Sequence, residues 1–151
     1  MLRVLPIVLA AAAVAAGGCG SDVKARNDYV EAVNKAQNGF AASFDRLSSR
    51  ITATSTPKED QRTLEGFRQA VDRAVTQLRA IQVPDRVKGL HAQLINEIAA
   101  YGREIDKAKR AFRSSSPQEV VRAQTQLVNA VTRVSAQINH TIDQINRKLR
   151  E

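Results

Sequence analysis

From Asp22 to the end of the chain, apolar residues recur at spacings of three and four, without the alternation of a half-buried strand. That period restricts the chain to helices, and it comes as four successive stripes. The first runs through Val30, Val33, Phe40, Phe44, Leu47 and Ile51, with Gln37 in the missing step of the same heptad. The second takes in Leu64, Phe67, Val71, Ala74, Leu78 and Ile81. Val87, Leu90, Leu94, Ile98, Tyr101, Ile105, Ala108 and Phe112 form the third; Val120, Leu127, Val131, Val134, Ile138, Ile142, Ile145 and Leu149 form the fourth.

Between the stripes stand the signals that stop and restart helices. Thr56-Pro57-Lys58-Glu59 offers a capping Thr, a Pro in the first turn and a Glu that can reach back to the cap. Pro84 closes one helix and opens the next, and Ser116-Pro117-Gln118-Glu119 repeats the capping pattern after a run of serines. The spacing predicts helices at about 22–52, 57–81, 85–112 and 117–149, each about 37–48 Å long. Matched helices joined by short turns predict an all-α fold, an up-down-up-down four-helix bundle over residues 22–151. The competing arrangement is a hairpin array that completes its core by dimerising; four stripes in one chain favour the monomer. Gly39, Gly66, Gly89 and Gly102 fall inside these helices and mark either close helix contacts or tolerated exposed positions.

The residues before the first stripe are of another kind. Met1 to Arg3 is a short positive start, Val4 to Ala16 is apolar and alanine-rich, and Ala16, Gly17 and Gly18 are small residues leading into Cys19. This is the shape of a secretory signal, too short to span a bilayer comfortably and weakened as a helix by Pro6. Ala16-Gly17-Gly18-Cys19 resembles the lipobox of bacterial prolipoproteins, although that family more often has Leu where Ala16 stands and Ala or Ser where Gly17 stands. The resemblance covers residues 1–19 only. It implies a signal peptide over 1–18, a diacylglyceryl group on the Cys19 sulfur, and residues 19–21 as a lipidated cysteine with a short tether. The alternatives are cleavage by the ordinary signal peptidase, leaving a free thiol, and an uncleaved anchor. With one cysteine in all, no intramolecular disulfide forms, and the core must carry the stability.

Hydrophobic residues at 43%, charged residues at 25% and only 7 Gly and 4 Pro are a composition that folds. The net charge of +8 favours anionic surfaces. For an exported protein these are lipid head groups or envelope polymers rather than nucleic acid.

Helical bundles often hold metals or haem, and the residues such sites need are missing. Lys88 stands three before His91 and Gln137 three before His140, so neither completes a Glu-x-x-His pair. No acidic residue falls on the apolar stripes, and a single cysteine rules out the Cys-x-x-Cys-His attachment of a c-type haem. No Gly-x-Ser-x-Gly elbow or nucleophile with a recognisable base is present. The sequence therefore predicts no catalytic residue, no metal ligand and no cofactor. Phe40, Phe44, Phe67, Tyr101 and Phe112 fall on the stripes and read as core, Tyr29 falls elsewhere, and Gln37 and Gln124 lie on or beside the seams as a buried polar layer or a ligand contact.

Up-down tracing gathers Lys24, Arg26, Arg86, Lys88, Arg147, Lys148 and Arg150 at the anchored end, where they would face anionic head groups or simply complement helix dipoles. Lys107, Lys109, Arg110 and Arg113 gather at the distal end, as a partner patch or as ordinary helix-closing cations. The function these features predict is a non-enzymatic, lipid-anchored interaction or scaffolding protein outside the cytoplasm, on the cell membrane or an outer membrane. Its partner would be an envelope protein or an anionic envelope polymer. The alternative is an extracytoplasmic bundle carrying a small ligand or metal among its polar seam residues.

Overall fold

The computed structural model describes residues 20–50, 56–113 and 117–151. Lipobox residues Ala16, Gly17, Gly18 and Cys19, stripe residue Ile51 and cap residue Ser116 lie outside the described residues. Four helices account for nearly everything described: α1 (Gly20–Ser48), α2 (Pro57–Arg79), α3 (Lys88–Ala111) and α4 (Pro117–Arg150). There is no strand among the described residues.

The helix ends follow from local chemistry. Thr56 closes a full capping box at the start of α2: its Oγ1 accepts from the Glu59 N–H at 3.3 Å, and Glu59 Oε2 accepts from the Thr56 N–H at 2.7 Å. Those bonds to Thr56 also hold the Glu59 carboxyl below its ordinary range. Gly20 and Ser21, expected as a tether, belong to α1, whose first turn carries Asp22 where a negative charge suits the helix dipole. At its other end α1 stops at Ser48, short of the expected Thr52. There the Ser49 hydroxyl donates to the Arg46 carbonyl at 3.0 Å, and Arg50 N–H donates to Leu47 O in a tightened turn. Pro84 supplies no side-chain cap, and the chain enters α3 through a 3-10 turn over Asp85–Val87, with Val87 N–H on Pro84 O.

Consecutive helices pack against each other, α1 on α2, α2 on α3 and α3 on α4, while α1 and α4 approach much less closely. Partner numbers between α2 and α3 fall as α2 rises. Gln61 donates to Phe112 O, Glu65 pairs with Lys109, Arg68 with Asp106, and Leu78 O accepts from His91. Phe44 stacks against Phe67 at 4.6 Å between ring centroids, and Phe40 and Phe44 both meet Tyr101. The core is continuous from Tyr29 and Val33 through Leu64, Leu78 and Leu94 to Ile145.

The glycines divide. A Cβ on Gly66 or Gly102 would press on Leu47 or on Arg68 and Val71, whereas one on Gly39 meets nothing within 4 Å. Gly39→Ala is therefore expected to raise stability by about 0.5–1 kcal/mol, read from urea unfolding midpoints, because it removes backbone freedom from the unfolded chain without a clash.

Candidate functional site

The weakly closed side of the molecule holds a cavity. Its volume is about 100 Å³, and all four helices contribute to its wall. Phe40, Phe44, Ile98, Tyr101 and Ile138 give it bulk, and the small side chains of Ala36, Ala41, Ala74 and Ser135 leave the space. No charged side chain lines it. Ser135 is the small residue that α4 brings to this wall, and on the same helix Leu127, Val131 and Ile138 are only partly buried and Val128 is exposed.

Gln37 lines this cavity, and its Oε1 is buried without a hydrogen-bond partner. A carboxamide oxygen so placed costs about 1–3 kcal/mol relative to one that accepts a bond. Burial keeps the neighbouring Tyr101 phenol protonated by pushing its pKa well up. Gln124, the other seam glutamine, lies in α4 with its side chain outside the described residues.

Two further polar clusters lie inside the helices. Tyr29, expected off the seam, is instead 1% exposed, because its hydroxyl finds a partner in the core: His91 Nδ1 at 3.1 Å. His91 Nε2 sits 3.0 Å from Leu78 O. Only an N–H can satisfy a carbonyl, so Nε2 carries the proton, donates to Leu78 O, and leaves Nδ1 to accept from the Tyr29 O–H. His91 is thus a satisfied core residue, held below its ordinary pKa chiefly by burial. His140 is exposed on α4. In the second cluster Glu97 Oε1 accepts from Gln93 Nε2 and from the fully buried Thr141, each at 2.9 Å, while Glu97 Oε2 is buried and unpartnered. The stripes, read as free of acidic residues, gave no sign of this carboxylate: its partners come from another helix and from a polar position on its own.

The basic residues fall into two groups. Arg26 Nη1 donates to Leu149 O at 2.9 Å, joining the first turns of α1 to the last turn of α4. Arg86, Arg147 and Lys148 line one shallow cleft, and Arg86 helps hold the Glu151 carboxyl below its ordinary range, behind the larger effect of Lys148. Lys24 and Arg26 share a neighbouring groove with Arg86. Lys24, Lys88 and Lys148 are taken up by Asp28, Asp85 and Glu151. Arg150 is exposed in the last turn of α4.

At the other end Lys107 pairs with Glu104 and Lys109 with Glu65. Arg110 is exposed, and Arg113 lines a cleft with Lys58 and Arg62 of α2. Lys58 and Arg62 escape a reading along the chain because they belong to the start of a different helix.

Among the described residues no group of three or more His, Cys, Asp or Glu could hold a metal ion, and no helix is long and apolar enough to cross a membrane. No family model, no curated protein and no solved structure matches this chain.

Proposed function

We propose that this chain is a bacterial envelope lipoprotein, anchored outside the cytoplasm through lipid on Cys19, that acts by binding and not by catalysis. The opposed residue order along α2 and α3, with the end-to-end bond from α1 to α4, supports an up-down-up-down four-helix bundle. The observation that carries the orientation is the Arg26–Leu149 bond. It sets the end of α4, with Arg147 and Arg150, beside the helix start that directly follows Cys19. Arg86 joins them from the α2–α3 turn. Each arginine near an anionic bilayer contributes about 1 kcal/mol. The opposite end, with Lys58, Arg62, Arg110 and Arg113, is then presented to an envelope protein or anionic polymer.

Mass spectrometry of the protein extracted from membranes tests the anchor. The expected result is an N-terminal peptide that begins at Cys19 and carries a diacylglyceryl mass, with Cys19→Ala moving the protein to the soluble fraction. An unmodified Cys19, or a retained leader, would refute the anchor. Arg86→Gln, Arg147→Gln and Arg150→Gln combined should weaken sedimentation with phosphatidylglycerol vesicles; unchanged binding would remove the basic end from the reading.

A further inference from the structure

We propose that the cavity between α1 and α4 is a binding site for a slim, uncharged molecule with an apolar body and one hydroxyl or N–H donor, an alcohol or phenol in the simplest case. The donor pairs with Gln37 Oε1 and the apolar body lies against Phe40, Ile98, Tyr101 and Ile138. This rests on the described helices alone and stands apart from whether Cys19 carries lipid.

Three observations define the ligand. Absence of any charged side chain from the wall excludes an ionic ligand, because a desolvated charge with no partner is prohibitively unfavourable. The volume of about 100 Å³ is somewhat below that of an apolar cavity of about 150 Å³ that takes up benzene, so a short alkyl chain or the edge of one ring fits inside. Anything longer extends outward where α1 and α4 stand apart, past partly buried Val131 and Ser135. The third observation is chemical. Gln37 presents a buried acceptor with nothing donating to it. A donor-bearing guest removes that penalty on binding, and an apolar guest of the same shape does not. Recognition is therefore coded by the unsatisfied Gln37 acceptor in a mostly apolar wall, whose other polar side chains are Asn38, Tyr101 and Ser135, the usual composition of small-molecule sites.

The test uses the full chain carrying Cys19→Ala, which avoids detergent, titrated with 4-propylphenol and with propylbenzene by calorimetry. Saturable binding of 4-propylphenol is expected. Gln37→Leu should weaken it about tenfold while leaving propylbenzene unchanged or tighter. Val131→Phe, which fills the mouth, should weaken both by at least about tenfold. Gln37→Met is made alongside Gln37→Leu, so that one folded variant, checked by circular dichroism, gives the comparison. Absence of saturable binding by the parent chain would overturn the site. Equal loss of both compounds in the Gln37 variant would overturn the pairing with Oε1, and unchanged binding in Val131→Phe would overturn the location.

Discussion

Leu94→Ala is expected to lower the unfolding free energy by about 2–5 kcal/mol, with a fall in Tm of roughly 5–15 °C. Leu94 is 0% exposed and stands in α3, which packs against α2 and α4 and reaches α1 through the rings of His91 and Tyr101. Neighbours on three sides hold the walls of the space that the lost methyl groups would leave. The cost is then the lost transfer energy plus a cavity that relaxes little. Val121→Ala on α4 supplies the contrast, because Val121 is 62% exposed. There the replacement should leave stability unchanged or raise it by about half a kcal/mol, since alanine is the better helix former. Denaturant unfolding of both variants checks the pair. Similar losses at the two positions would mean that the helices do not share one tightly packed core.

The four helices were legible because their signals are local. A period of three to four needs only the residues of one helix, and the Thr56–Glu59 capping box needs only four consecutive ones. Which face of each helix turns inward was less legible, and the errors share a cause. On α1 the stripe residues Val33 and Phe44 are buried, but Val30 and Gln37 are only partly so, and Tyr29 and Ala36, one residue back in each case, are buried in their place. On α3 the stripe took Leu90, and the buried residue is His91, one step on. Tyr29 and His91 are each poor core residues alone and good ones together, because each satisfies the polar atom that would otherwise make burial costly. Hydropathy counted along one helix cannot see a partner on another. The same rotation of α1 sets Gln37 at the edge of the seam, where its carboxamide lines the cavity instead of sitting in a polar layer at the centre. Thr141 and Glu97 repeat the pattern between α4 and α3. The cavity itself depends on the spacing of α1 and α4, the pair of helices farthest apart along the chain, and no local rule fixes that distance.

Folding stability is expected to fall as pH drops below about 6.5, the ordinary value for histidine, and His91 is the group responsible. Burial disfavours its charged form, outweighing the bond to Leu78 O, so the folded pKa lies below the unfolded one. Between those two values the unfolded chain binds a proton that the folded chain does not, and stability therefore rises with pH across that interval. The contribution is complete above the unfolded value and is lost as pH falls through the folded one, at no more than about 1.4 kcal/mol per pH unit. Geometry adds to the burial effect. A proton on Nδ1 would meet the Tyr29 oxygen, forcing the phenol to turn from donor to acceptor and leaving its own hydrogen without the partner it now has at 3.1 Å. The carboxyls of Glu59 and Glu151, held below an ordinary value of 4.5, titrate under this window and do not confuse it. Urea unfolding at intervals from pH 7 to pH 5 should show a progressive loss in the parent chain that His91→Gln abolishes. Tyr29→Phe should cost about 1–3 kcal/mol at pH 7, where His91 Nδ1 is left without a donor, and should flatten the pH slope because protonation then supplies no conflict with a phenol. An identical slope in the parent and His91→Gln chains would show that the buried imidazole does not govern stability in this range.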